Sequence, residues 1–174
     1  MCPSMLMLKI PIESAMSRFE KWINRPVIQP PIQIQSRNTT KKACNAKGQW
    51  KGISFLVASF DEWTVFEEMS GGLMTFDSSK FKQLAQSDEM RYIGYNDSVP
   101  YGNVLVIQSG KVKRDFLDDK TDPSASRNIG RLKIENKQPL ESWIDVEYNF
   151  TDDFLKYTVD SGLLWIFEWN FDNK

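Results

Sequence analysis

Histidine is absent from the 174 residues of this chain, and cysteine occurs only twice. Histidine is the commonest general base and metal ligand, so its absence excludes Ser-His-Asp and Cys-His catalytic sites and any zinc site that includes histidine. Two cysteines are too few for a four-cysteine zinc site or for the disulfide framework of a small secreted domain. We therefore expect Cys2 and Cys44 to be free thiols in a reducing compartment, and we expect no metal and no cofactor.

Long apolar segments are also missing. No stretch approaches the roughly 18 apolar residues of a membrane-spanning helix, and the first residues do not resemble an export signal. We therefore expect a cytoplasmic protein without a membrane partner. Neither a Walker A motif nor a dinucleotide-binding glycine motif occurs, and we interpret Ser70-Gly71-Gly72 as a turn that requires a positive φ.

The chain does contain enough apolar residues for a core. Hydrophobic residues make up 41% of the sequence, which at this length predicts a single domain spanning residues 1–174. Met16, Phe19 and Ile23 lie at helical spacing, which predicts a helix from Ser14 to about residue 24. The other predicted elements are strands at 32–35, 53–58, 63–67, 91–95, 103–107, 111–117 and 163–171 and helices at 77–88 and 141–160.

The order of these elements indicates the fold class. Runs of strands dominate the middle of the chain, joined by short turns such as Ser109-Gly110, instead of alternating with helices. This order predicts an α+β fold, with a mainly antiparallel sheet and helices near both ends of the chain. Polar loops are predicted at 36–49 and 118–129, and Gly162 is interpreted as the C-cap of the last helix.

Charge is distributed unevenly along the chain. Residues 1–52 contain nine lysines and arginines but only two glutamates, and we expect a mobile basic loop at 36–49. The cations Arg37, Lys41, Lys42, Lys47 and Lys51, with Trp50, could contact a nucleic acid. The isoelectric point of about 5.6 is low for a nucleic-acid-binding domain, so we do not expect a nucleic acid as the partner.

The last third of the chain is acidic and rich in aromatic residues. Residues 141–174 contain eight acidic side chains against two lysines. Carboxylates complement a cationic partner, and aromatic side chains anchor protein interfaces, so this pattern predicts an acidic-aromatic binding face. A solvated acidic surface over a core of aromatic residues remains open as the alternative. The predicted binding residues are Asp145, Glu147, Tyr148, Asp152 and Asp153, followed by the loop acids Asp118, Asp119 and Asp122.

Three stretches in the middle of the chain also carry a family resemblance. They are WTVFEEMSGGL at 63–73, YIGYND at 92–97 and NVLVI at 103–107. Together they resemble small bacterial α+β domains that include immunity proteins of toxin systems, among them the SUKH-type superfamily, whose glycine-containing turn is similar to Ser70-Gly71-Gly72. The resemblance implies a non-enzymatic inhibitor that binds one cognate toxin, and it carries over no functional residue.

These observations predict a non-enzymatic, cytoplasmic binding module of the immunity-protein type. Its expected partner is a protein, such as a basic toxin domain, that binds the acidic-aromatic face. Two alternatives remain open. One is a histidine-free hydrolase that uses carboxylates such as Glu67 or Asp115, although the adjacent Glu67 and Glu68 would face opposite sides of a strand and could not act as a pair. The other is a structural subunit of an oligomer with a large apolar interface.

Overall fold

The computed structural model of the chain describes residues 4–72, 76–148, 157 and 159–169. Its centre is a nine-stranded, antiparallel sheet in the order β2-β9-β3-β4-β1-β5-β6-β7-β8. The elements are β1 (Ser4–Leu8), α1 (Ile12–Ile23), β2 (Val27–Ile34), a 3-10 helix (Arg37–Ala43), β3 (Ile53–Phe60), β4 (Trp63–Glu68), α2 (Ser78–Ala85), β5 (Met90–Asn96), β6 (Tyr101–Gln108), β7 (Lys111–Asp119), a 3-10 turn (Pro123–Ala125), β8 (Arg127–Gly130), a second 3-10 helix (Lys133–Asn136), a helical stretch at 143–148 and β9 (Gly162–Phe167).

The expected α+β class and antiparallel sheet are therefore confirmed. The placement of helices near both ends is not, because α2 lies in mid-chain between β4 and β5. The sheet dominates the architecture, and the helices cover only part of it. Asp77 caps α2, since its carboxylate accepts the backbone N–H groups of Ser79 and Lys80.

The first strand, β1, was not predicted, yet it occupies the middle of the sheet. It pairs with β4 on one side and with β5 on the other, and all five of its residues are buried. A strand covered on both faces needs apolar side chains at every position, so it lacks the alternation by which a strand is recognised in a sequence. The short segment SMLML therefore gave no strand signal.

One face of the sheet is covered by α1 and α2. Phe19 of α1 is fully buried and stacks on Phe66 of β4 with ring centroids 4.4 Å apart, and Phe81 of α2 stacks on Tyr92 of β5 at 4.7 Å. Predicted and observed bounds of α1 differ by two residues at the start, and Asn24 ends the helix in the left-handed conformation. This face is the aromatic half of the core.

Two of the predicted hairpins are present. Strands β3 and β4 pair from Phe55 to Phe60, and β6 and β7 are joined by Ser109 and Gly110 with φ values of 49° and 69°. Positive φ at both central residues matches the twist of the flanking strands, which is why a Ser-Gly pair between two β-type runs predicts this turn.

The second face of the sheet is covered by irregular segments. Where the sequence predicts a loop at 36–49, residues 37–43 form the first 3-10 helix, and within the predicted loop at 118–129 the short edge strand β8 begins. The second 3-10 helix and residues 140–146 also lie on this face, with Leu140 and Val146 buried in its core. Side chains fasten these segments to the sheet.

The helix predicted at 141–160 begins two residues later than expected. Residues 143–148 are helical, whereas 149–156 and 158 lie outside the described residues. The prediction that Gly162 ends this helix is wrong, because Gly162 is the first residue of β9. A Cβ atom at Gly162 would lie 2.4 Å from the carbonyl oxygen of Val57, so the glycine permits close pairing of β9 with β3.

A buried ion pair fastens the second 3-10 helix to β7. Arg114 and Glu135 are 1% and 2% exposed, and their two hydrogen bonds, Nε to Oε1 and Nη2 to Oε2, measure 2.7 and 3.0 Å. Arg114 also donates to the carbonyl of Ile129 at 3.1 Å, and Glu135 accepts the N–H of Leu132 at 2.9 Å. Both charges are therefore matched and hydrogen-bonded, which a buried pair requires.

We expect Glu135→Ala to lower the free energy of unfolding by about 3–5 kcal/mol, because it leaves the Arg114 guanidinium buried without a counter-charge. The double variant Arg114→Met/Glu135→Leu should lose less stability than the sum of the losses in Arg114→Met and in Glu135→Leu, since neither charge then remains unpaired. Urea unfolding followed by circular dichroism measures both effects. Glu62→Ala breaks the exposed Lys9–Glu62 pair and is the control, expected to be nearly neutral. Strictly additive losses at Arg114 and Glu135 would contradict this assignment.

Candidate functional site

Three segments meet at the end of the sheet where β6 begins and β7 ends. The N–H of Lys120 donates to the carbonyl of Pro100 at 3.0 Å, which joins the loop after β7 to the turn before β6. Oδ2 of Asp118 accepts the N–H of Trp143 at 2.9 Å, which joins the same loop to the helical stretch. We call the surface formed by residues 97–100, 118–122 and 141–148 the acidic end, because these segments contain seven carboxylates and one lysine.

A glycine in β6 allows the helical stretch to lie against the sheet. A Cβ atom at Gly102 would stand 2.7 Å from Cα of Trp143 and 2.8 Å from Cγ2 of Val146. The first of these neighbours is backbone and cannot rotate away, so only glycine fits without moving residues 143–148. The sheet therefore determines where this part of the acidic end lies.

The predicted loop acids have different roles in the structure. Asp118 is 8% exposed and binds both the N–H of Trp143 and the ammonium of Lys120, the latter at 2.9 Å, so it holds the acidic end together. Asp119 accepts the N–H and hydroxyl of Thr121 at 2.8 and 2.7 Å. Although partial burial acts to raise the pKa of Asp119, these hydrogen bonds outweigh it and hold the pKa below its usual value. Asp122 is exposed and accepts the Ser124 hydroxyl.

The predicted binding residues in the last third of the chain also differ in their structural roles. Asp145 accepts the N–H groups of Glu141 and Ser142 at 2.9 and 2.7 Å, so it stabilises the start of the helical stretch in the manner of a capping box. Glu147 is half-buried, whereas Tyr148 is 73% exposed. Asp152 and Asp153 lie outside the described residues.

The structure adds residues to this surface that sequence reasoning missed. Val99 and Ile144 are 44% and 43% exposed, and Glu141 is exposed beside them on the same three segments. Nothing in the sequence marks Val99 or Ile144 as exposed, because an apolar residue in a turn or helix is expected to face the core. Among the aromatic residues of the acidic last third, Trp165 is buried in the core and does not belong to this surface.

The carboxylates considered for a hydrolase are engaged elsewhere and lie apart. Glu67 binds both terminal nitrogens of Arg37, one of them at 2.9 Å, and accepts the N–H of Val159 at 3.1 Å. Asp115 pairs with Arg127 at 2.6 Å. Strand register places Glu67 beside Met5 and Asp115 beside Leu105, which belong to opposite faces of the sheet. These two carboxylates therefore cannot share one cleft.

Glu68 stabilises the predicted Ser-Gly-Gly turn. Its carboxylate accepts the N–H groups of Ser70 and Gly71, both at 2.6 Å, and the Ser70 hydroxyl at 2.5 Å. Gly71 has a φ of 87°, as the interpretation of this turn requires. Burial raises the pKa of Glu68, and the hydrogen bonds from the turn offset this effect only in part.

We expect this carboxylate to make stability depend on pH. Because the pKa of Glu68 is raised on folding, the folded state retains its proton over a range that begins near 4.5 and extends above it. The unfolded state binds fewer protons there, so this contribution to the free energy of unfolding falls as pH rises. Denaturant unfolding of the wild type and of Glu68→Gln across this range isolates the effect, since the variant does not titrate at that position. The wild type should lose stability relative to the variant on going from acid to neutral pH, and a constant difference would contradict the prediction.

The basic segment near residues 36–51 is partly used for structure. Arg37 is paired with Glu67, and the ammonium of Lys51 donates to the carbonyl of Lys42 at 2.7 Å. Trp50 packs against the core of the second face. Two of the five cations that could bind a nucleic acid, and the ring of Trp50, therefore have partners within the fold. Lys41, Lys42 and Lys47 are exposed. Cys44, in the same segment, is a free thiol, and Cys2 lies outside the described residues.

Within the described part of the chain, no group of three or more cysteines or carboxylates is placed to hold a metal ion. The helices described are all too short or too polar to cross a membrane. No protein-family model matches the chain, and neither the curated proteins nor the solved structures contain a match. The function must therefore be argued from the surface itself.

Proposed function

We propose that this protein is a non-enzymatic binding module that docks its acidic end onto a basic surface of another protein. The observation that carries the proposal is the presence of exposed apolar side chains among carboxylates on three segments that the fold brings together. Val99, Ile144 and Tyr148 provide the apolar part. Asp97, Asp122 and Glu141 are exposed carboxylates on the same segments.

The charge of the acidic end favours a cationic partner. Its only lysine, Lys120, is paired with Asp118, so it does not offset the outer carboxylates. A surface potential of one sign accelerates association with an oppositely charged surface and disfavours wrong partners. The expected binding is therefore sensitive to salt, as exposed charges are screened over about 8 Å at physiological ionic strength.

Tyr148 is the strongest candidate for an anchor. Helical geometry places it about 7.5 Å along the axis from Trp143, and its side chain is 73% exposed. Tyrosine is enriched at interface positions that contribute most to affinity, because it buries a large, rigid surface and keeps a hydrogen-bonding hydroxyl. An isolated exposed tyrosine needs no explanation, but one surrounded by carboxylates matches a partner with apolar and basic character.

The resemblance to immunity proteins favours a toxin as this partner. A toxin that acts on nucleic acid presents a basic substrate-binding surface, and an acidic end that covers this surface would inhibit it without any chemistry. In this proposal the protein acts in the cytoplasm and needs no cofactor, and Asp145 and Asp118 position the surface while Glu147, Asp119 and Asp122 contribute charge to it.

We expect Asp122→Lys/Glu141→Lys to weaken binding at least tenfold at about 50 mM NaCl and to reduce its salt dependence, because two attractive charges become repulsive. The partner is captured from lysate with the wild-type protein and purified. Its dissociation constant is then measured by calorimetry at about 50 and about 300 mM NaCl. Glu13→Lys/Glu20→Lys makes the same change of charge on exposed residues of α1 and is the matched control. Equal losses in the two double variants would show that only net charge matters and would contradict docking at the acidic end.

Tyr148→Ala should cost about 2 kcal/mol of binding free energy, roughly a thirtyfold loss of affinity, if its ring is buried by the partner. Tyr148→Phe keeps the ring and should retain most of the affinity. The same calorimetric assay measures both variants, and the loss should persist at high salt because it is not electrostatic. An unchanged affinity in Tyr148→Ala would remove this residue from the interface.

A further inference from the structure

A groove of about 540 Å³ lies between α1 and α2, on the helix-covered face of the sheet. The two helices are antiparallel there. Nη1 of Arg18 donates to the carbonyl of Leu84 at 3.4 Å, and Nε1 of Trp22, one turn later, donates to the carbonyl of Lys80 at 2.6 Å, one turn earlier. These contacts join the helices and leave the groove along their outer side. It is separate from the acidic end, whose helical stretch packs on the other face.

The groove carries a concentration of positive charge. Among the residues that the structure describes, its lining includes Arg18, Lys21, Arg25 and Lys80 and contains no carboxylate. Arg18 is paired with Asp88 at 2.8 Å outside the lining. The other three cations form no ion pair with any carboxylate in the part of the chain that the structure describes. Three positive charges thus face one cavity in a protein whose net charge is −1.

Two of these cations lie close to the same aromatic ring. The ammonium of Lys80 lies 4.8 Å and the guanidinium carbon of Arg25 lies 5.7 Å from the ring centroid of Phe76, within the range of cation–π attraction. The guanidinium of Arg25 is also held by the carbonyl of Glu168 at 3.4 Å. Partial burial lowers the pKa of Arg25, because water that would solvate its charge is displaced. An anion in the groove would relieve both this desolvation and the repulsion between the cations.

We propose that this groove binds a phosphorylated small molecule, with its phosphates among Lys21, Arg25 and Lys80. Phosphates supply several charged acceptor oxygens, which match a set of separate ammonium and guanidinium donors better than a single carboxylate does. The groove has the volume of a typical ligand pocket, about 300–1,000 Å³. Gln83, Gln86 and the ring of Trp22 line the remainder and would contact the organic part of the ligand.

A small ligand fits these observations better than a nucleic-acid strand. A strand requires a positive surface that continues beyond one cavity, and the isoelectric point of about 5.6 is low for such a protein. The basic segment at 36–51 does not extend the groove, because its Ala43 and Trp50 pack on the second face of the sheet, whereas the groove lies on the helix-covered face. The positive charge is therefore local to the space between the helices.

The test is calorimetric titration of the full chain with three probes: ATP, inorganic tripolyphosphate and adenosine. We expect saturable binding of ATP and of tripolyphosphate and none of adenosine, because the phosphates carry the interaction. Binding should weaken between about 50 and about 300 mM NaCl. Tighter binding of ATP than of tripolyphosphate would show that the groove also holds the organic part.

Two charge-reversal variants separate the groove from net charge. Lys21→Glu/Lys80→Glu should weaken ATP binding at least tenfold, whereas Lys111→Glu/Lys113→Glu, which reverses two exposed lysines of β7, should change it less than about twofold. Circular dichroism and urea unfolding confirm that both variants fold.

Three results would overturn the proposal. They are the absence of saturable binding by both phosphate probes, equal losses in the two double variants, and binding of adenosine as tight as that of ATP. An oligonucleotide of about ten bases that binds more than tenfold tighter than ATP, and loses this affinity in Lys21→Glu/Lys80→Glu, would also overturn it and identify a nucleic-acid surface instead. The acidic-end variants do not alter the groove, so failure of either proposal leaves the other standing.

Discussion

The buried ion pair between Arg114 and Glu135 illustrates the main requirement of this fold, which is to cover both faces of a wide sheet. One face is covered by α1 and α2, whose backbone groups bond within each helix. The other is covered by short 3-10 helices and loops, whose backbone groups have fewer such partners. Charged side chains on the strands provide additional partners for this layer. Arg114 pairs with Glu135, and Asp118 accepts the N–H of Trp143. Glu67 pairs with Arg37 and accepts the N–H of Val159.

This arrangement divides the acidic residues of the chain into two groups. Glu67 and Asp115 are buried within strands and paired with Arg37 and Arg127, which makes them poor candidates for catalysis. Carboxylates at the end of the sheet are left near solvent, and the anchor Asp118 gathers their segments into one surface. The proposed docking surface is therefore a consequence of how the irregular layer is fastened to β7.

A net charge of −1 conceals two regions of opposite sign. The acidic end lies where the irregular layer meets β6 and β7, whereas the cationic groove lies between the helices on the other face. The uneven charge along the sequence predicted a difference of this kind, but not its location. Arg37 and Lys51 of the basic segment at 36–51 are bound within the fold, and the cations of the groove come from α1, its C-terminal turn and α2.

The sequence by itself determined the α+β class, the bounds of α1 to within about two residues, and the β3–β4 and β6–β7 hairpins, because periodicity and turn residues act over a few neighbouring positions. It also directed attention to the acids at 118–122 and 145–148. Only the tertiary structure decided that β1 lies mid-sheet, that Gly162 begins a strand, and that these two acidic segments meet beside Val99 and Ile144. Those features depend on pairing and counter-charges between residues far apart in the chain, which no local pattern records.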